Sequence, residues 1–277
     1  MLTQLRACFV LQWNPFSPDL PAEALWKTPH IDHFCRRMES LARQGVFALI
    51  SGEPGTGKSV ALRCLHESLS RFPDLSVAVL TRPQSRLADF YRELGQLFSL
   101  NLTPHNRWAG FKILREKWHE HIQATGLRPV LLIDEAQEMH PHVLAELRLL
   151  QSAQFDSRSL STVVLCGDTR LTAQFRNPDL LPLASRIQLR LLMEPQSPAE
   201  LLDYLHFVLQ QAGNSSLLSP ELMTTLSQHS AGNFRVLNHL AQELLLVALQ
   251  RQLPRLDEKL YLEHFAREPR PRPSSRS

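Results

Sequence analysis

The most constraining feature of the chain is a glycine-rich loop pattern at residues 52–59, which reads Gly-Glu-Pro-Gly-Thr-Gly-Lys-Ser. The loop follows an apolar run at 46–50 and leads into a stretch, 59–66, that has the spacing of a helix. A strand, a glycine-rich loop and a helix in this order form a site at which backbone N–H groups bind phosphate. The order favours a nucleoside triphosphate site over a glycine-rich turn that matches the pattern by chance.

Each residue type in this loop has a role in binding a phosphorylated ligand. The glycines let the backbone turn its N–H groups inward, and the start of the helix adds a partial positive charge. Lys58 is placed to reach the β- and γ-phosphates, and the Ser59 hydroxyl is placed to bind Mg²⁺. The residues expected to contact the nucleotide here are Gly52, Glu53, Pro54, Gly55, Thr56, Gly57, Lys58, Ser59 and Val60. The sequence therefore predicts ATP and Mg²⁺ as ligands.

A second apolar run ends in two adjacent carboxylates. Residues 130–133 read Val-Leu-Leu-Ile and are followed by Asp134 and Glu135. A buried parallel strand delivers such acids to the carboxyl edge of a sheet, where Asp134 is expected to ligate Mg²⁺. Glu135 is placed to polarise the water that attacks the γ-phosphate. The alternative for Glu135 is a solvated acid at the start of a helix.

Strand and helix patterns alternate along the chain as far as Met193. Strands are expected at 46–51, 75–80, 130–134, 161–166 and 187–191, with helical patterns between them. This alternation predicts an α/β fold with a five-stranded parallel sheet flanked by helices. Beyond Met193 the pattern becomes wholly helical, and helices are expected at 198–212, 219–230, 233–251 and 257–266.

Proline positions and changes in composition predict how the chain is divided. An N-terminal arm at residues 1–30 is expected to pack on the core of a nucleotide-binding domain at residues 31–194. A small all-helical lid domain is expected at 195–266. The basic tail at 267–277 contains Pro, Arg and Ser with almost nothing apolar, and it is expected to be disordered.

Composition agrees with this interpretation and argues against several others. No apolar run has the length of a membrane span, and the N-terminus lacks the apolar core of a signal peptide, so we expect a cytoplasmic protein without membrane contact. The four cysteines lie far apart, which gives no support to a zinc site or a disulfide framework. A net charge of +3 is compatible with a polyanionic partner but too small to demonstrate one.

Several short motifs resemble those of AAA+ ATPases, and in particular those of the ExeA branch. They are Asn-Pro-Phe at 14–16, the loop at 52–59, Leu-Ile-Asp-Glu-Ala-Gln at 132–137, Leu-Arg-Leu-Leu at 147–150 and Gly-Asn-Phe-Arg at 232–235. The branch includes the secretion-assembly ATPase ExeA and the TniB-like and TnsC-like ATPases of transposons, which are related in role to MuB. The resemblance implies an ASCE-type P-loop ATPase that hydrolyses ATP to ADP and phosphate and works as a homo-oligomeric ring or filament.

The resemblance also implies two sensor residues. Asp168 follows the fourth strand, where the family places a polar sensor of the γ-phosphate. An Asp departs from the usual amide or hydroxyl at that place, so Thr169 is its substitute. Arg235 follows a Gly-Asn turn and resembles the second sensor, an arginine of the lid that touches the γ-phosphate.

An arginine finger and an adenine contact are implied in the same way. Arg186 precedes the fifth strand and matches the position from which the family projects a guanidinium into a neighbour's nucleotide. A surface salt bridge is the alternative for Arg186, and Arg176 and Arg190 are competing fingers. The segment 13–16, Trp-Asn-Pro-Phe, is expected either near the adenine or as a hydrophobic staple of the core.

These motifs are compatible with more than one kind of macromolecular partner. Secretion ATPases of the branch are expected to continue into a transmembrane helix and a cell-wall-binding module, and the sequence to residue 277 contains neither. We therefore interpret the resemblance as favouring a transposition regulator that oligomerises on duplex DNA, selects target sites and activates a transposase. An ExeA-like ATPase for secretion-system assembly and a nucleotide-gated adaptor that recruits a protein are the alternatives.

Duplex DNA is expected to be contacted mainly through its phosphates. Basic residues outnumber acids between the second and third predicted strands, and the candidates for DNA contact are Arg82, Arg86, Arg107, Lys112, Arg115 and Lys117. A solvated helix face stabilised by i, i+4 pairs is an equal alternative for these residues.

Overall fold

The computed structural model of the chain describes residues 2–81, 83, 87–98, 107–153 and 158–265. The chain divides into two units. One unit contains Lys27–Glu194, and the other combines Met1–Trp26 with Pro195–Ser277. The predicted tail at 267–277 lies outside the described residues.

A parallel sheet lies at the centre of the unit Lys27–Glu194. Its strands are β1 (Phe47–Gly52), β2 (Leu75–Leu80), β3 (Arg128–Ile133), β4 (Thr162–Gly167) and β5 (Ile187–Met193). Their order across the sheet is β2-β3-β4-β1-β5, and every neighbouring pair is parallel. The predicted α/β fold with a five-stranded parallel sheet is confirmed, and every strand limit lies within two residues of the predicted one.

Burial along the strands explains why these segments form a sheet of this kind. β1 and β4 are buried at all of their positions, as expected of inner strands covered on both faces. β5 is at one end of the sheet and alternates buried and exposed residues. Phe47 and Leu49 of β1 face a core built with side chains of the helices that follow β2 and β3. The order of the strands matters for the site because it sets β4 between β1 and β3.

Seven helices are described in this unit, among the residues with assigned structure. They are α2 (Pro29–Leu41), α3 (Lys58–Leu69), α4 (Leu87–Leu97), α5 (Arg107–Thr125), α6 (Pro141–Gln151), α7 (Thr169–Gln174) and α8 (Leu181–Ala184). Short 3-10 turns occur at Ala136–Glu138 and Pro178–Leu180, and Ser152–Ala153 pairs antiparallel with Arg158–Ser159. Helix α3 contacts β1, β2 and β4, which positions its N-terminus at the carboxyl edge of the sheet.

The second unit is helical throughout its described elements. They are α1 (Leu2–Phe9), α9 (Pro198–Ala212), α10 (Pro220–His229), α11 (Phe234–Gln250) and α12 (Glu258–Phe265), with a 3-10 turn at Ala22–Ala24. Ser197 and Glu200 form a capping box at the start of α9, and Ser219 caps α10. The four helices predicted after Met193 are therefore found, each within two residues of the expected limits.

The N-terminal residues pack differently from the prediction. The arm was expected on the core of the nucleotide-binding domain, but its apolar side chains share one core with those of α9–α12. Trp26 packs on Phe207 with 4.9 Å between ring centroids. The buried residues that the arm contributes are Leu5, Phe9, Leu11 and Phe16. The physical reason is that the helices α9–α12 form an apolar core together with these side chains, which complete it.

Among the described residues, no helix combines the length and the apolar character that crossing a bilayer requires.

Candidate nucleotide-binding site

The loop between β1 and α3 has the backbone geometry of a phosphate-binding loop. Gly55 and Gly57 have φ values of 86° and 98°, in the left-handed region that glycine adopts without strain. The Thr56 hydroxyl donates to the carbonyl oxygen of Glu53 at 2.8 Å, which closes the loop on itself. Gly57 caps α3, so the first helical residue is Lys58. Successive N–H groups in such a turn, next to a helix N-terminus, form a nest for anions.

Gly52 is required for a reason that the sequence did not indicate. It is the last residue of β1 and lies against the neighbouring end of β5. A Cβ atom at this position would lie 2.2 Å from the carbonyl oxygen of Met193. The glycine therefore permits the close approach of two strands, in addition to any role in turning N–H groups toward phosphate.

Lys58 is held against the loop. Its side chain is buried, and its ammonium donates to the carbonyl oxygen of Glu53 at 2.9 Å. A neutral carbonyl balances little of the ammonium charge, so the group retains a strong attraction for an anion. The positive φ angles, the helix N-terminus and this lysine together fit a phosphorylated ligand.

The remaining residues of the predicted contact set lie around the same loop. Glu53 and Pro54 are exposed within it. Ser59 is exposed and Val60 is half-buried, both in the first turn of α3. This hydroxyl and the Asp134 carboxylate, which follows the end of β3, are the hard oxygen ligands that Mg²⁺ prefers.

Asp134 lies immediately beyond the end of β3. Its N–H donates to the carbonyl oxygen of Leu80 at 2.9 Å, which extends the pairing with β2 by one residue. Burial raises the pKa of the Cys166 thiol well above its usual value, and the charge of Asp134 and a hydrogen bond to it act in the same direction. The thiol is therefore neutral beside the Asp134 carboxylate.

Glu135 has an uncommon backbone conformation. Its φ of 52° and ψ of 38° are left-handed, which few residues other than glycine adopt. Its N–H donates to Asp134 Oδ1 at 3.0 Å, and its carboxylate accepts a hydrogen bond from the side-chain amide of Gln137. Glu135 is exposed and precedes the turn Ala136–Glu138, so the structure is compatible with both interpretations given above. Its role as the base stays a prediction.

Asp168 is the N-cap of α7. Its Oδ1 accepts from the N–H of Arg170 at 2.9 Å, and its carboxylate forms an ion pair with the Arg170 guanidinium at 2.8 Å. Partial burial acts to raise the pKa of Asp168, but the hydrogen bonds and charge of Arg170 outweigh it, so the pKa is lowered overall. Arg170 also pairs with Glu138 at 2.8 Å, and it was not anticipated from the sequence. These contacts give Asp168 a capping role; the sensor role of Asp168 or Thr169 stays a prediction.

The sheet brings the two acidic positions and the lysine to one edge. The loop that carries Lys58 follows β1, Asp134 follows β3, and Asp168 follows the strand between them. Because the strands are parallel, their carboxyl ends meet at this edge. The charge of Lys58 contributes to lowering the pKa of Asp168, as expected of neighbouring groups. Residues far apart in sequence thus form one site.

The finger candidates lie in the same unit. Arg186 is half-buried in the turn before β5, and its guanidinium donates to the carbonyl oxygen of Pro182. Arg190 is exposed in β5 and donates to the carbonyl oxygen of Ala184 at 3.3 Å. Arg176 is exposed after α7. The choice between these arginines stays a prediction.

Arg235 belongs to the helical unit. It is exposed in the first turn of α11, where the Asn233 side chain accepts from its N–H at 2.9 Å and from that of Val236 at 3.2 Å. Gly232 has a φ of 80°, so the expected Gly-Asn turn is present. The role of Arg235 as a sensor stays a prediction.

Two of the basic residues proposed for DNA contact form pairs along α5. Lys112 is paired with Glu116 at 3.7 Å, and Lys117 is paired with Glu120 at 3.1 Å. These four side chains are about half-exposed or more. The pairs agree with the alternative of a solvated helix face, although exposed pairs of this kind contribute little energy and leave the lysines available to another anion.

Arg115 also lies on α5, but its side chain contacts the protein's own backbone. Arg115 is half-buried, and its guanidinium donates to the carbonyl oxygen of Ser152 at 2.6 Å. The backbone of α5 begins at Arg107, whose side chain lies outside the described part of the chain, as do Arg82 and Arg86 entirely. Their contact with DNA stays a prediction.

Comparison with protein families identifies the kind of domain that this region forms. Residues 42–175, which run from the end of α2 through α7, match the AAA domain family. This region is an AAA domain. The predicted resemblance to AAA+ ATPases of the ExeA-like group is confirmed.

A relative of known name is similar over most of the chain. General secretion pathway protein A from Aeromonas hydrophila is 35% identical over 211 residues. The match covers 75% of this chain and 38% of that protein, so the chain spans well under half of the length of its relative.

Solved structures share the fold at low identity. Cdc6p from Pyrobaculum aerophilum has a TM-score of 0.71 and 17% identity, over 87% of this chain and 67% of that one. The ORC1 protein of Aeropyrum pernix, solved in complex with DNA, has a TM-score of 0.70 and 16% identity, over 91% of this chain and 68% of that one. At these identities the likeness concerns the fold alone.

Proposed function

We propose that the chain is a Mg²⁺-dependent ATPase that assembles on duplex DNA and regulates transposition. The observation that carries the ATPase is the meeting of the Lys58 loop with Asp134 and Glu135 at the carboxyl edge of one parallel sheet. This is the arrangement that phosphoryl transfer requires, because the protein contributes mainly position and charge to such a reaction.

The reaction follows from where these groups lie. The N–H groups of the loop and the Lys58 ammonium bind the phosphates, and Ser59 and Asp134 would hold Mg²⁺. When bound, Mg²⁺ neutralises charge that develops on the transferring phosphate. Glu135 accepts a proton from the water that attacks the γ-phosphate, so that ADP and phosphate leave.

The DNA part of the proposal rests on different support. The motifs at 14–16, 132–137 and 232–235 resemble those of the ExeA branch, which includes the TniB-like and TnsC-like ATPases of transposons as well as the secretion ATPase. The ORC1 protein of similar fold was solved with DNA. ATP-bound subunits that assemble on duplex DNA would mark a target site and activate a transposase there, with contacts mainly to phosphates.

A salt series with labelled random-sequence duplex tests the DNA part. With ATP we expect tight binding. The logarithm of the association constant should fall linearly with the logarithm of the salt concentration, with a slope of about −0.9 for each phosphate contacted. With ADP or without nucleotide we expect weak binding. Absence of DNA binding in all three states would remove the transposition proposal while leaving the ATPase untouched, because ATP turnover is measured separately.

A second function has one specific observation in its favour. General secretion pathway protein A is the named relative, at 35% identity. An ATPase of that kind is expected to bind partners of secretion-system assembly and to be indifferent to DNA. The same salt series separates the two functions, and a neighbouring gene for a transposase or for a secretion channel would favour one or the other. A nucleotide-gated adaptor would bind ATP and a protein partner with negligible turnover.

Arg186→Ala is expected to leave ATP binding intact and to lower turnover of the assembled protein by roughly 10³-fold, as loss of an arginine finger does. The reason is that the guanidinium stabilises charge on a neighbouring subunit's phosphate and does not hold the nucleotide of its own subunit. Turnover measured against protein concentration, with ATP affinity measured in parallel, checks the result. Arg176→Ala and Arg190→Ala are the matched variants: wild-type turnover in Arg186→Ala, with loss in one of these, would move the finger there.

A further inference from the structure

Gln137 lies between the proposed base and the end of β4. It is buried, with 5% of its surface exposed. Its side-chain amide donates to the Glu135 carboxylate, and its Oε1 accepts from the backbone N–H of Asp168 at 3.2 Å. A carboxylate can only accept and an N–H can only donate, so these partners fix which way the amide points.

The surroundings of Gln137 are built for this arrangement. Its backbone carbonyl accepts from the side-chain amide of Gln174 at 3.0 Å. At Gly167, an added Cβ would lie 2.6 Å from Gln137 Oε1, so any larger residue there would displace the amide. The side-chain oxygen of Gln137 is therefore held by Asp168, which lies between β4 and α7, and its backbone carbonyl is held by Gln174 of α7.

Glu135 needs such a partner. Its side chain is exposed, and its own backbone is left-handed, two residues beyond the end of β3. An exposed carboxylate samples several rotamers, and fixing one of them costs conformational entropy. A hydrogen bond from a buried, doubly held amide restricts the carboxylate before the reaction begins, and such positioning affects rates strongly.

We propose that Gln137 is a positioning residue for ATP hydrolysis, which holds Glu135 toward the attacking water and ties it to the end of β4. It acts through Glu135 and touches neither nucleotide nor metal. The inference rests on the proposed function, because it needs Glu135 to be the base.

The first test compares Gln137→Ala with a matched variant, Gln151→Ala. Gln151 is also buried and its amide donates to the carbonyl oxygen of Ser161, so its loss removes a comparable hydrogen bond outside the site. We expect Gln137→Ala to lower kcat by roughly 10- to 100-fold with ATP affinity within about twofold of wild type. Gln151→Ala should lower stability and keep kcat. Where the alanine variant does not fold, Gln137→Met keeps the volume without the hydrogen bonds and should show the same loss.

The second test asks whether Gln137 acts through Glu135. In single-turnover reactions, adding Gln137→Ala to Glu135→Gln should cause no further loss, because residues that act as one unit are not additive. An equal loss in both backgrounds would overturn the inference and indicate a purely structural role, and so would wild-type or raised kcat in Gln137→Ala. Absence of turnover in the wild-type protein would instead overturn the proposed ATPase, so the two failures are distinguishable.

Discussion

Replacement of Lys58 by alanine is expected to abolish ATP binding. Lys58 is the first residue of α3, and the variant loses its ammonium group. This group lies where the loop N–H groups and the helix N-terminus are expected to bind the phosphates. A charged hydrogen bond to phosphate in a partly buried site contributes strongly, so we expect affinity to fall by at least about 100-fold, or about 3 kcal/mol. Titration of a fluorescent ATP analogue measures the loss directly.

A matched lysine and a stability measurement make this result specific. Lys117 is exposed and paired with Glu120 at 3.1 Å, so Lys117→Ala removes one positive charge from the same unit outside the loop. It should bind ATP as the wild type does. Because the Lys58 side chain is buried, thermal unfolding of Lys58→Ala must be followed as well. A folded variant with wild-type affinity would contradict the assignment of the loop.

The sheet and its phosphate loop were predictable because their signals are local. Runs such as 130–133 are aliphatic at every position, and an inner parallel strand is buried on both faces, so the run itself marks the strand. The glycines at 55 and 57 mark a backbone with positive φ, which the structure has. Both patterns refer to residues that are neighbours in the chain, and no knowledge of tertiary contacts is needed.

The packing of the N-terminal arm was not predictable in the same way. Phe9 and Phe16 indicate that the arm is buried. The hydrophobic effect is non-directional, so apolar side chains do not specify which core they enter. The sequence suggested the α/β core, whereas these residues complete the core of the helical unit. The apolar composition of a segment indicates that it is buried, but the core in which it is buried depends on the tertiary fold.

The supporting contacts of the site depend on strand order. Gln137 and Asp168 are separated by 31 positions, and they meet because β4 pairs with β3. Asp168 caps α7, and its carboxylate also forms an ion pair with Arg170. The position of Asp168 after a predicted strand does not reveal this ion pair. Gln137 lies only two residues after Glu135, but the sequence alone does not show that the turn between them brings the amide to the carboxylate.

Glu135→Gln is expected to produce a protein that binds ATP and hydrolyses it poorly. The substitution removes the basic carboxylate oxygen while keeping the size of the side chain and an oxygen that accepts from the Gln137 amide. General-base catalysis contributes about 10²–10⁴-fold, so turnover should fall within that range. Phosphate release measures turnover, and light scattering measures the ATP-bound oligomer, which should persist because its ATP is not consumed.

Glu138→Gln is the matched control for this result. Glu138 is exposed, lies three positions further on and is paired with Arg170 at 2.8 Å, so its neutralisation changes local charge equally without touching the proposed base. We expect it to keep turnover within a fewfold of wild type. If both variants lose activity equally, the effect belongs to the charge of the sheet edge, and if Glu135→Gln turns over normally, the base is another group. Loss confined to Glu135→Gln would assign proton removal to this carboxylate, since the two variants differ only in which acid is neutralised.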